Sequence, residues 1–64
     1  MPVIIFEGPR MTKEQKEQLV KEFTLTGSRI TNLSPEKFTT LIREYEPENV
    51  GAGTNLLVNI IKKE

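Results

Sequence analysis

The chain contains no cysteine, no histidine and no tryptophan. Without cysteine it has neither disulfides nor a thiol nucleophile, and without histidine it lacks both the commonest base at neutral pH and the usual zinc ligand. A metal site is therefore not expected. Surplus charge is also missing: nine Lys and Arg balance nine acidic residues, for a formal net charge of +0. Binding nucleic acid by counterion release needs a basic surface, so no nucleic-acid partner is expected. No apolar run approaches the roughly 18 residues of a membrane span, and the amino terminus lacks the charged leader and long apolar stretch of a signal peptide. The expected location is cytoplasmic, away from a membrane.

Length is scarce as well. Sixty-four residues, 36% of them apolar, allow one domain over residues 1–64. Area scaling lets a 7.3 kDa chain bury roughly 6,400 Å² on folding; if about 60% is apolar, this contributes on the order of 95 kcal/mol. Ordering the chain at about 1.5 kcal/mol per residue costs nearly the same. With no disulfide or metal to close the gap, burial against copies of itself is the most accessible source of stability, and a homo-oligomer is expected.

The elements that are present read in order. Pro2-Val3-Ile4-Ile5-Phe6, ended by Glu7-Gly8-Pro9, is an apolar β-branched run that predicts a strand buried on both faces. Thr12-Lys13-Glu14-Gln15 has the spacing of a capping box. Beyond it Leu19, Val20, Phe23, Gly27 and Ile30 fall on one helical arc, predicting an amphipathic helix over about residues 13–31. Leu25 lies opposite that arc, where it gains nothing in a monomer. Asn32 to Glu36 stops the helix in a tight turn, with Ser34 as cap and Pro35 following. A second strand over 38–45 would put Phe38, Thr40, Ile42 and Glu44 on one face and Thr39, Leu41, Arg43 and Tyr45 on the other. Two strands joined by a helix of this length form a βαβ unit with parallel strands. Val50-Gly51-Ala52-Gly53-Thr54 suits a hairpin or bulged loop before the apolar tail Leu56–Ile61. The fold class is thus α+β, with one helix covering one sheet face. The other face and the tail are left for neighbouring copies.

Pro2 carries the chemistry. Methionine aminopeptidase removes an initiator Met that precedes a small residue, proline included, and the expected mature chain begins with a free proline. Its nitrogen is then a rigidly held secondary amine rather than an amide. The reference α-amino pKa is about 7.7 to 8.0, and burial with nearby cations lowers it toward neutrality, which suits a general base in a chain without histidine. The plainer reading, that Pro2 merely starts a strand, stands beside it.

The Met-Pro-Val-Ile start, Glu7-Gly8, Arg10, the Thr-Lys-Glu-Gln-Lys-Glu-Gln-Leu helix opening, the Ser-Pro-Glu turn and Val50-Gly51-Ala52-Gly53 together resemble the 4-oxalocrotonate tautomerase family. The resemblance covers nearly the whole chain. It implies a cofactor-independent isomerase assembled as a homohexamer, a trimer of dimers, with a small-molecule carboxylate as partner. In that family the amino-terminal proline shuttles a proton along an enol or dienol acid while arginines hold the carboxylate and polarise the carbonyl. Pro2 matches the proline. Arg10 matches the first arginine, with Pro9 as an apparent insertion beside it, and its bidentate fork suits a carboxylate. The second arginine aligns with Thr39. Arg43 shares that strand face about 13 Å further along and is read either as a replacement supplied by a neighbour or as a structural ion pair. Val50 stands where the family has an aromatic wall.

Gly51 and Gly53 lack the third glycine and the Lys-Ser/Thr of a phosphate loop, so turn geometry accounts for them. Glu44, Glu46 and Glu48 read as alternating exposed charge at a strand end. The leading expectation is a tautomerase acting on a small unsaturated 2-hydroxy or 2-oxo acid, of the 2-hydroxymuconate or enolpyruvate kind. One alternative is a related proline-dependent hydrolytic dehalogenase, for which no carboxylate is evidently placed to activate water. The other is an inactive oligomeric scaffold that retains the fold.

Overall fold

The computed structural model describes residues 1–61; the expected domain over 1–64 extends three residues outside them. Strand β1 (Val3–Gly8) leads through a short loop into helix α1 (Lys13–Thr31). A 3-10 turn at Pro35–Lys37 precedes strand β2 (Thr39–Glu44). A second 3-10 turn, Pro47–Asn49, leads to the hairpin β3 (Gly51–Ala52) and β4 (Asn55–Leu56), which runs directly into helix α2 (Leu57–Ile61). The two long strands are parallel, in the register Val3↔Thr39 through Gly8↔Glu44, and β3 and β4 are antiparallel. The expected βαβ unit with a carboxy-terminal hairpin is therefore present.

Local chemistry fixes the element ends. The Thr12 side chain accepts from Gln15 N at 3.1 Å while the Gln15 side chain accepts from Thr12 N at 3.0 Å, satisfying two amide donors that the first helical turn leaves without partners. At the other end Asn32 turns left-handed (φ 65°, ψ 23°), and its N–H donates to Ser28 O at 2.9 Å. Asparagine is among the few side chains that tolerate this conformation. Gly53, at φ 65°, makes the tight turn between β3 and β4, where a positive φ at the first central position matches the twist of a two-residue hairpin.

The alternation of the strands decides what is covered. Ile4, Phe6, Thr40 and Ile42 are half-buried beneath α1, and the Phe6 and Phe23 rings meet with centroids 6.0 Å apart. Val3, Ile5 and Leu41 face the opposite way and are 55%, 50% and 43% exposed. The expectation of a first strand buried on both faces is thus corrected for the single protomer, because one helix covers one face only; the strand also runs two residues past Phe6. On α1 the covered stripe is Leu19, Phe23 and Gly27. Val20 and Ile30 were expected on it but are exposed, Ile30 at 69%, since both lie beyond the narrow two-stranded sheet. Leu25, as expected, is exposed.

No described residue is fully buried. The protomer exposes 5303 Å², whereas a compact chain of this mass would expose about 4,200 Å². Its radius of gyration is 15.5 Å and its extents are 45 × 24 × 15 Å, against about 11 Å for a compact domain of this length. It is a flat, elongated plate with an apolar side left bare.

Candidate active site

Pro2 stands at the head of β1, half-buried, and its carbonyl accepts a hydrogen bond from Thr39 N at 3.0 Å. This bond extends the parallel ladder by one step and makes Thr39 the neighbour of Pro2. Met1 projects beyond it, 92% exposed. A cavity of ≈ 560 Å³ opens there, lined by Met1, Ser34, Glu36 and Lys37. The Ser34 hydroxyl donates to Glu36 Oε1; that bond, together with the backbone N–H of Glu36, holds the carboxyl below its ordinary pKa.

Arg10, Arg43 and Val50 lie at the opposite end of the sheet. Arg10, in the loop between β1 and α1, has a side chain 76% exposed and is ion-paired with Glu46. The Arg43 guanidinium meets Glu7, its register partner on β1, at 3.1 Å, and Tyr45 OH donates to the same carboxylate oxygen at 3.3 Å. Of the two readings of Arg43, the protomer shows it in this ion pair. Val50 follows the Pro47–Asn49 turn, and its carbonyl accepts from Leu57 N at 2.8 Å. It borders an apolar cavity of ≈ 460 Å³ together with Gly8, Pro9, Tyr45 and Leu57.

The acidic residues that read as solvated charge tie this end together. Glu44 accepts from Met11 N at 2.8 Å and lies 3.1 Å from Lys16 Nζ. The amide of Met11, and after it Lys16, lower the Glu44 pKa from 4.5. A depressed folded-state pKa means that the stability this carboxylate contributes is complete above its unfolded value and is lost as pH falls through the lowered one. Glu44→Gln should therefore lower Tm at neutral pH, and thermal melts should show the gap from wild type closing on acidification below about pH 4.5. A gap that persists unchanged in acid would mean that the charge of Glu44 is not what stabilises the loop.

The structure thus brings Pro2 and Thr39 together at one end and gathers Arg10, Arg43 and Val50 at the other. The six residues of β1, at about 3.3 Å each, separate Pro2 from Arg10 by about 20 Å, and Arg43 lies about 13 Å from Thr39 along β2. Among the described residues no group of His, Cys, Asp or Glu could hold a metal ion, and no helix is long and apolar enough to cross a membrane. Sequence reasoning did not identify Ser34, Glu36 and Lys37, which read only as a turn. The signal was available in the register, since two steps back from Val3↔Thr39 bring Met1 level with Lys37.

Comparison with known proteins supplies the family. The sequence model described as "Tautomerase enzyme" matches residues 2–60. DmpI from Archaeoglobus fulgidus is 33% identical, with 89% of this chain and 98% of that chain covered at a TM-score of 0.79. YwhB, a homologue of 4-oxalocrotonate tautomerase, is 25% identical over 91% of this chain and 97% of its own, at 0.82. A further 4-oxalocrotonate tautomerase homologue, TTHB242, is 23% identical over 92% and 95% of the two chains at 0.83, a likeness of fold. A search of curated proteins found no match. With the family matched over nearly its whole length and the βαβ plate shared with these structures, the chain belongs to the tautomerase family and is a tautomerase-like enzyme.

Proposed function

We propose that the chain, once freed of Met1, is a cofactor-independent isomerase that moves a proton within a small unsaturated 2-hydroxy or 2-oxo acid, with the Pro2 amine as acid and base. The observation that carries this reading is the position of Pro2 at the head of the sheet: its carbonyl accepts from Thr39 N, so removal of Met1 leaves a secondary amine on a backbone that the parallel ladder holds. In a chain without histidine or cysteine this is the base best placed for the work. Its lone pair takes the proton of the enol hydroxyl, the O–H electrons form the C=O bond, and the displaced C=C pair takes a proton back from the Pro2 ammonium at a remote carbon. Atoms and charge balance without a co-reactant.

Arg10 binds the carboxylate in this reading. Its ion pair with Glu46 is highly exposed, and such pairs are worth only about 0–1 kcal/mol, so exchange for a substrate carboxylate costs little. Because Pro2 and Arg10 of one protomer are too far apart, the working site is built between copies. A two-fold axis across the bare sheet faces sets the Pro2 end of one plate beside the loop end of its partner. Further burial of exposed apolar residues would close dimers into a hexamer, in the cytoplasm.

A second reading, a scaffold without activity, is favoured by one observation: Arg10 and Arg43 are both already paired, with Glu46 and Glu7. Ultraviolet assay of 2-hydroxymuconate and phenylenolpyruvate ketonisation by the processed chain separates the two. Catalysis above the solution rate is expected; its absence with both compounds supports the scaffold.

A further inference from the structure

The cavity at Met1 carries side chains to which the isomerase reading gives no role. Met1 forms part of its wall, so removing Met1 opens it, and the other lining residues include two charged side chains, Glu36 and Lys37, which the parallel register sets beside the start of β1. Their situations differ. Glu36 is engaged by the Ser34 hydroxyl, and its proton affinity is lowered by that bond and by its own N–H. Lys37 makes no ion pair with any described residue. Its backbone is held, because Lys37 N donates to Ser34 O at 3.0 Å and Phe38 N to Pro35 O at 3.1 Å. The ammonium therefore swings on a flexible stem from a fixed root. That root is tied to Pro2 by the Thr39 N to Pro2 O bond only two residues along. No other cation of the described chain is tied to Pro2 in this way; Arg10 lies beyond the far end of β1, about 20 Å away, and Arg43 is level with Glu7, about 16 Å along the sheet.

We propose that Lys37 is the cation that holds the 2-oxygen of the substrate beside the Pro2 amine of the same protomer, leaving the carboxylate to Arg10 of a neighbouring copy. The assignment rests on the reading of Pro2 as the base. Three rotatable donors let the ammonium meet the 2-oxygen, where negative charge develops as the hydroxyl proton leaves. Thr39, whose side chain carries no charge, does not compete for that role. The same cation also favours the neutral, base-competent form of the amine, while Glu36 acts in the opposite sense.

The test uses processed chain in four forms: wild type, Lys37→Gln, Lys37→Arg and Glu36→Gln. The Pro2 amine is titrated by NMR on proline-labelled protein, and phenylenolpyruvate ketonisation is followed alongside. Lys37→Gln is expected to raise the amine pKa by about half a unit or more and to lower kcat/KM by about tenfold or more. Lys37→Arg should restore both, and Glu36→Gln should move the amine pKa downward. An amine pKa equal in wild type and Lys37→Gln, or kcat/KM unchanged in Lys37→Gln, overturns the assignment. If Pro2→Ala loses activity while Lys37→Gln keeps it, only the role of Lys37 falls. If wild type shows no ketonisation, the isomerase reading falls instead, and the amine titration still decides whether Lys37 acts on Pro2.

Discussion

Replacing Pro2 by alanine in the processed chain is expected to lower kcat/KM for ketonisation by about 10²-fold, the low end of what a positioned acid or base contributes. Alanine still presents an amino terminus, so the loss does not reach the full range. What disappears is the ring. Proline supplies a secondary amine whose substituents are tied back to the backbone, and its φ is fixed near −65°. The lone pair therefore has one direction relative to β1. Alanine turns about that bond freely and spends much of its time aimed elsewhere. The fold should not change, because the carbonyl of residue 2 still receives the Thr39 N–H and neither residue donates to the ladder at this position. Circular dichroism and sedimentation equal to wild type, with activity reduced, separate a chemical effect from a structural one. Rates within twofold of wild type would leave Pro2 as a strand opener and favour the scaffold.

The second large effect is expected on the bare side of the sheet. Val3, Ile5 and Leu41 stand together on it, each about half exposed, and the protomer presents more surface than a compact chain of its mass. Wild type is expected to sediment as an assembly well above 7.3 kDa. Ile5→Lys with Leu41→Lys would place two unpaired ammonium groups in the contact, at several kcal/mol per buried charge, and should give a smaller species or an unfolded chain at micromolar concentration. Activity should fall by about 10²-fold or more with it, because the loop end carrying Arg10 then no longer reaches Pro2. If the double variant keeps the wild-type mass and rate, this face is not the interface.

How much of this was legible in the sequence depends on the range of the interaction. The α1 limits were readable because they rest on local chemistry: the reciprocal Thr12–Gln15 bonds and the left-handed Asn32 lie within a few residues of what they cap. The parallel pairing was readable because a helix of 19 residues between two strands leaves little else. The alternation of β2 also matched, with Thr40 and Ile42 inward and Thr39, Leu41 and Arg43 outward. Burial was less legible. Apolarity on both sides of β1 states that both faces are meant to be covered, but not by what, and within one protomer only the Phe6 side is.

The candidate site was legible by type and not by place. Pro2 and Arg10 stand out by their position and chemistry, yet nothing local reveals that about 20 Å of strand separates them. Glu44 and Glu46 read as solvated charge because their partners, Met11 N, Lys16 and Arg10, are more than 25 residues away in sequence. Lys37 was overlooked for the same reason: its nearness to Pro2 exists only through the parallel register. Interactions across the sheet are set by that register, and a residue type at a turn does not announce it.

The claim on which the rest depends is that the nitrogen of Pro2 must be free. Preparations containing different fractions of chain without Met1, quantified by intact mass, allow one direct measurement: ketonisation rate per chain against that fraction. The expected result is a straight line through zero, because the acylated nitrogen of a Met1–Pro2 bond has no lone pair to accept a proton. A rate that does not change with the fraction processed would contradict it.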